Sequence, residues 1–220
     1  MSHPNTPAGT DSKALYPMQQ SKELLTKIAR RSYERNLTTT TRGVISMRSP
    51  EAGLYLITSA ETSFQDIKST DVCLIDEMGT LVDKSTSLIL PSETKYHLKS
   101  YQVRPDIHAI AHLYPPYVSA YALKNPSFNL TDTARSTIKE VLKVRCAECI
   151  SRFCGLCDCR TDIRTSYTGV DVLLLKEDGL VTLGTSLENA LDLADLVEKS
   201  SREALVHDVW KGVEHQDNPA

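Results

Sequence analysis

Two tight turns constrain the fold more than any other feature of this 220-residue chain. Glu77-Met78-Gly79 stands between the runs Val72–Asp76 and Thr80–Asp83, and Asp178-Gly179 stands between Val170–Leu175 and Leu180–Leu183. Glycine takes turn angles that other residues avoid, so each turn folds its flanking strands back as a hairpin. Helical patterns alternate with the strands. The expected class is therefore α/β, and the hairpins argue against an all-parallel sheet.

The other elements follow from periodicity. A helix is expected from about Ser21, with Leu24, Leu25, Ile28 and Ala29 on one face. Val44–Met47 and Gly53–Thr58 read as strands, and Pro91-Ser92-Glu93 as a helix start with Ser92 as N-cap. Ile107–His112 alternates like a strand, and Pro115-Pro116 opens an apolar helix over Tyr117–Leu123. Thr131–Val144 has helical spacing, with Ala134, Ile138, Val141 and Leu142 in step. The last helix has Thr185 and Glu188 as a capping box and a stripe of Leu187, Ala190, Leu191, Ala194 and Val197. Without a repeat or a low-complexity linker, residues 21–207 form one expected domain. The polar segment 1–20 is expected to be a mobile arm, and 208–220 a fraying polar tail.

Composition narrows the function. A net charge of -3 argues against a surface that grips nucleic acid or an anionic membrane. No apolar run reaches the roughly 20 residues that span a bilayer. The polar N-terminal stretch lacks the apolar region of a secretory signal, so a cytoplasmic, reducing setting is expected. Five of the six cysteines lie between Cys146 and Cys159. The pattern Cys146-x2-Cys149-x4-Cys154-x2-Cys157-x-Cys159 supplies two close thiolate pairs and a fifth sulfur, a set suited to structural zinc or an iron–sulfur cluster. Spacing does not separate the two metals, and a loop of reduced or redox-active thiols is the plainer alternative. The lone Cys73 on the Val72–Asp76 strand reads as a core thiol.

The order of motifs resembles the class II aldolase/adducin family. Those motifs are Arg42-Gly43-Val44-Ile45-Ser46-Met47-Arg48, Gly53-Leu54-Tyr55-Leu56-Ile57-Thr58, Pro91-Ser92-Glu93, Arg104-Pro105-Asp106 leading to Ala111-His112-Leu113-Tyr114-Pro115-Pro116, Leu173-Leu174-Leu175 with Asp178-Gly179-Leu180, and Thr185-Ser186-Leu187-Glu188-Asn189-Ala190. The resemblance spans roughly Ser21 to Leu205. It implies a single-domain, mostly antiparallel sheet of nine strands flanked by helices, and a homo-oligomer, commonly a tetramer. It also implies a small-molecule substrate and a zinc-type divalent metal held by three histidines, with a glutamate as acid/base. Nucleic-acid and membrane partners are not expected.

Carried over by residue, the family's glutamate matches Glu93, whose plainer reading is a first-turn helix residue. The family's His-x-His pair uses strand positions i and i+2, about 6.6 Å apart on one face. Here it reads His112-Leu113-Tyr114. The third ligand position holds Asp178, where a hairpin would also favour Asp-Gly. His112 and Asp178 are thus the expected metal positions, with Tyr114 a catalytic or weakly ligating group. His108 lies about 13 Å from His112 along the strand, too far to chelate with it, and reads as structural. The phosphate pocket departs at three places together. Val44 replaces an asparagine, Ala60-Glu61 replaces a Thr/Ser-Gly loop, and Pro91 replaces a serine. A buried phosphate needs donors and Glu61 would repel it, so a non-phosphorylated substrate is expected.

Two functions follow. The first is a metal-dependent lyase acting on a small oxygenated substrate by carbon–carbon cleavage, dehydration or decarboxylation, with Glu93 moving the proton. The second is a non-catalytic binding or regulatory member of the family whose cysteines hold zinc or an iron–sulfur cluster.

Overall fold

The computed structural model describes residues 12–39, 41–82, 87–124, 141–144, 169–175 and 178–216. Its strands are β1 (Val44–Arg48), β2 (Leu54–Thr58), β3 (Val72–Asp76), β4 (Ala109–Leu113), β5 (Val141–Val144), β6 (Val172–Leu175) and β7 (Gly179–Gly184). Its helices are α1 (Ser12–Glu34), α2 (Thr94–Val103), α3 (Pro116–Lys124) and α4 (Leu187–Gln216). The strands form one sheet in the order β3-β2-β1-β4-β7-β6-β5. Every pairing is antiparallel except β5 with β6. The expected α/β, mostly antiparallel fold is therefore present, with seven strands among the described residues.

Period-two side-chain alternation splits the strand residues between two cores. Ile45, Leu56, Ala109, Ala111, Leu113, Val172, Leu174 and Leu180 join Leu25, Ile28 and Ala29 of α1 and Leu187, Ala190, Leu191 and Ala194 of α4. Their neighbours Val44, Tyr55, Ile57, Ile110, Leu173, Leu175, Val181 and Leu183 join Tyr96, Leu98 and Tyr101 of α2. Helices thus cover both faces, and His112, in step with Ile110, belongs to the α2 face.

Several elements differ from the sequence expectation. Helix α1 begins at Ser12, so it overlaps the expected arm over residues 12–20, and α4 continues past Trp210 to Gln216. Val141 and Leu142, expected in a helix, stand in β5, where Val141 pairs with Val172 and Leu142 with Leu173. There the hydrogen-bonding edge of β6 outweighs a local helical spacing. The rest of the expected 131–144 helix lies outside the described residues. The return of the first hairpin shrinks to a single bridge between Ile75 and Leu81.

Two helix starts are capped differently from expectation. Glu93, not Ser92, occupies the N-cap of α2, in helical angles and without a side-chain cap bond. The start of α4 uses Ser186 and Asn189 in place of Thr185 and Glu188. Ser186 Oγ accepts the Asn189 N–H at 3.1 Å, and Asn189 Oδ1 accepts the Thr185 N–H at 3.0 Å. The logic of the capping box is kept, one residue later.

Candidate active site

The end of β4 and the turn into β7 build the site. Gly179 opens β7 at φ +86°, and a Cβ there would lie 2.3 Å from the Leu113 carbonyl oxygen and 3.0 Å from Tyr114 Cδ1. Only glycine lets the β6–β7 turn settle against the end of β4. That contact brings Asp178 to His112 and Tyr114.

His112 is fully buried. Its Nε2 lies 2.6 Å from the Asp178 backbone oxygen. A carbonyl can only accept, so Nε2 carries the proton and donates it. In the neutral ring Nδ1 is then an acceptor, and it takes the Tyr96 hydroxyl at 2.5 Å. Burial lowers the His112 pKa, against the opposing pull of the Asp178 carbonyl and the Asp178 and Glu93 carboxylates. Tyr114 donates its hydroxyl to Asp178 Oδ1 at 3.1 Å, and its ring lies 4.9 Å from that of His112. Burial, with Asp178 beside it, raises the Tyr114 pKa. The Arg42 guanidinium sits over the Tyr114 ring, 4.2 Å from its centroid, and its charge lowers both of these pKa values.

Glu93 stands at the start of α2 with its side chain 21% exposed and Oε1 3.9 Å from His112 Nδ1. Ser92 donates its hydroxyl to the other carboxylate oxygen at 2.8 Å. The fold therefore gathers Glu93, His112, Tyr114 and Asp178 into one place. It does not gather them as a chelate. Both nitrogens of His112 are engaged in hydrogen bonds, the Tyr114 hydroxyl is turned to Asp178, and no group of three metal-ligating side chains converges among the described residues. The donor types are ones a divalent metal accepts, but in this arrangement His112 has no free nitrogen for it. Cys146, Cys149, Cys154, Cys157 and Cys159 lie outside the described residues. His108 is exposed on its side chain, while its backbone ties β4 to β1 and β7 through Arg48 and Gly184.

Sequence reasoning missed the support behind His112. Tyr96 lies one helical turn after Glu93, a spacing that places both on one side of α2. One residue further, His97 Nδ1 meets Ser46 Oγ at 2.7 Å, and Ser46 Oγ meets the Tyr101 hydroxyl at 2.8 Å. His97 Nε2 is buried with no hydrogen-bond partner among the described residues. Burial and the neighbouring His112 push the His97 pKa well down. No spacing rule ties Arg42 to Tyr114, 72 residues away in sequence, so its motif does not mark the contact.

Two positions of the expected phosphate loop are engaged within the fold, while Glu61 is exposed. Val44 is buried in the α2-side core. The Ala60 N–H and the Ser59 hydroxyl both donate to the Ile89 carbonyl, at 2.8 and 3.0 Å.

The comparisons with known proteins agree with this architecture. The L-fuculose phosphate aldolase of Methanococcus vannielii is 25% identical over 177 residues, 80% of this chain and 91% of the relative. The decarboxylase NovR of Streptomyces niveus is 28% identical over 155 residues, 67% of this chain and 54% of the relative. The crystal structure of L-fuculose-1-phosphate aldolase from Thermus thermophilus superimposes with a TM-score of 0.71 at 19% identity, covering 90% of this chain and 97% of that one. A putative aldolase/epimerase/decarboxylase from Escherichia coli, YgbL, gives 0.70 at 20% identity, covering 86% and 90%. At such identities the structures establish the fold alone. The family model of the class II aldolase and adducin N-terminal domain matches residues 23–205, most of the chain, and the protein belongs to the class II aldolase/adducin family.

Proposed function

We propose that this protein is a lyase of the class II aldolase type that acts on a small, oxygenated, non-phosphorylated substrate, with Glu93 as acid/base. The observation that carries the reading is the placement of Glu93. Its carboxylate is partly exposed, is held by Ser92, and lies beside a buried neutral imidazole. A carboxylate so placed can take a proton from, or return it to, a carbon next to a carbonyl. The similarity to phosphate-sugar aldolases and to a decarboxylase supports chemistry at a carbon–carbon bond. The Ala60 N–H and the Ser59 hydroxyl, donors spent on the Ile89 carbonyl, support a substrate without phosphate. No step is assigned to a metal, because both nitrogens of His112 are engaged in hydrogen bonds.

The same reading includes a homo-oligomer in the cytoplasm and a zinc ion or iron–sulfur cluster on the cysteine segment. Metal and labile-sulfide analysis of protein purified without air separates those two metals, and absence of both removes the cysteine proposal. The second function, a non-catalytic binding member, is favoured by one observation. The two altered ligand positions, Tyr114 and Asp178, satisfy each other. Turnover of a panel of small hydroxy and keto acids decides between the two. Glu93→Gln is expected to slow the active substrate by about 10²–10⁴-fold, and unchanged turnover would sink the lyase reading.

A further inference from the structure

Helix α2 carries Glu93 at its start and is tied to the sheet one turn further on by two adjacent residues. Tyr96 donates its hydroxyl to His112 Nδ1 on β4. His97 Nδ1 meets Ser46 Oγ on β1 at 2.7 Å, and Ser46 Oγ meets the Tyr101 hydroxyl at 2.8 Å. Glu93 stands three residues before Tyr96 and four before His97, so the three share one side of the helix. The Glu93 carbonyl also accepts the Tyr96 and His97 N–H groups, both at 3.1 Å. Ser46 lies two residues along β1 from Val44, the register partner of His112, so the two ties reach neighbouring strands on one face of the sheet. A single tie leaves a helix free to roll about it. Two ties from adjacent residues, to two strands, fix the roll.

His97 does this at a cost in stability. Its ring is buried, and Nε2 has no hydrogen-bond partner among the described residues. Whichever nitrogen carries the proton, one buried polar atom stays unpaired, a loss that an apolar side chain of similar volume would avoid. Beside such a side chain Ser46 would keep its bond to Tyr101. Packing therefore does not call for an imidazole at this place, whereas the bond to Ser46 does. We propose that His97 is a positioning residue, which through Ser46 sets the roll of α2 and so holds the Glu93 carboxylate beside His112, where Oε1 lies 3.9 Å from Nδ1. Its effect on turnover rests on the lyase reading above; the placement of Glu93 does not.

Two substitutions in the full-length protein separate placement from stability. His97→Leu fills the site, removes the unpaired nitrogen and breaks the tie to Ser46. Its urea midpoint is expected to equal or exceed that of the wild type. A displacement of about 1 Å at a reacting group costs about 10²-fold in rate, so kcat on the hydroxy or keto acid found in the turnover panel is expected to fall about 10–100-fold. KM is expected to stay unchanged, because Glu93 acts in the chemical step. His97→Asn is the rescue. It carries its amide at the place of Nδ1, keeps the bond to Ser46 and has no Nε2. It is expected to restore kcat to near the wild-type value although it packs less well. Activity then follows the Ser46 bond and not the stability. Wild-type kcat in His97→Leu, or an equal loss in His97→Asn, overturns the proposal.

The placement is also read without turnover. In a crystal structure of His97→Leu the distance from Glu93 Oε1 to His112 Nδ1 is expected to be longer than in a crystal structure of the wild type, and in His97→Asn it is expected to match the wild type. An equal distance in all three overturns the proposal. Should His97→Leu not fold, Ser46→Ala breaks the same tie from the other side and is read in the same way. If Glu93→Gln leaves turnover unchanged while the distances shift as expected, the lyase reading fails and the positioning of Glu93 by His97 stands.

Discussion

The two faces of the sheet are covered alike but built differently. On the α1/α4 face the strands present Ile45, Leu56, Ala109, Ala111 and Leu113 to an almost wholly aliphatic layer. On the α2 face the same strands bury Ser46 and His112 against Tyr96, His97 and Tyr101, all hydrogen-bonded. A helix can seal either kind of surface, but the consequences differ. The aliphatic face draws stability from area and packing, which do not depend on pH. The α2 face holds neutral imidazoles in low dielectric, and its stability is tied to protonation. Glu93, partly exposed at the start of α2, stands at the edge of this second face beside His112.

The largest expected effect separates the faces directly. Leu56 is fully buried in the aliphatic layer. Leu56→Ala should lower the unfolding free energy by about 2–5 kcal/mol through lost transfer energy and the cavity left behind. Urea denaturation at pH 8 and at pH 6 should give the same loss. A loss that grows with acid would show that the two faces are energetically coupled and would break the distinction.

The second effect belongs to the α2 face alone. His97 and His112 both have native pKa values below the ordinary 6.5, chiefly through burial. Below that pH the unfolded chain binds protons that the native state refuses, so stability is full above about 6.5 and falls as pH drops. Each histidine contributes a slope of up to about 1.4 kcal/mol per pH unit in this window, and together up to about 2.7. His97→Gln should remove roughly half of the slope. Denaturation midpoints between pH 7.5 and 5.5 check this, and a flat wild-type profile would mean that the imidazoles are not refused their protons.

The aliphatic face was largely legible in the sequence, and the polar one was not. Helical spacing of Leu25, Ile28 and Ala29, and of Leu187, Ala190, Leu191 and Ala194, marked the buried stripes correctly, because burial of apolar area follows periodicity. The hairpin at Asp178-Gly179 was read from turn chemistry, and the positive φ of Gly179 is its physical ground. Strand β5 was misread, because Val141–Val144 is specified by its partner β6 rather than by its own pattern. In the site, the motif order brought Glu93, His112, Tyr114 and Asp178 together in advance. Their hydrogen bonds were not foreseeable. That Tyr114 would turn to Asp178, and that His112 would spend both nitrogens, depends on atom positions set by the β4–β7 register. The same holds for Ser46, whose partners are 51 and 55 residues away.

The smallest effect lies where a charge intrudes on the aliphatic face. Glu198 of α4 accepts the N–H groups of Tyr117 and Val118, at 3.1 and 2.8 Å, and so caps the start of α3 from a neighbouring helix. Its pKa is nonetheless raised, because burial outweighs those two bonds and Asp195 adds to the repulsion. The charged carboxylate is thus a cap whose desolvation offsets much of its benefit. Glu198→Gln keeps an acceptor for one N–H and removes the charge, so stability at pH 7 should change by less than about 1 kcal/mol. The pH dependence is more telling than the magnitude. A carboxylate with a raised native pKa is stabilised relative to the unfolded chain as pH falls toward its unfolded value, opposite in sign to the histidines. In the wild type the two trends partly cancel as pH falls toward the carboxylate's unfolded value, and in Glu198→Gln only the histidine trend remains. The variant should therefore lose stability more steeply with acid than the wild type. An unchanged slope would mean that Glu198 titrates alike in both states, and that the aliphatic face is free of protonation effects even at its charged edge.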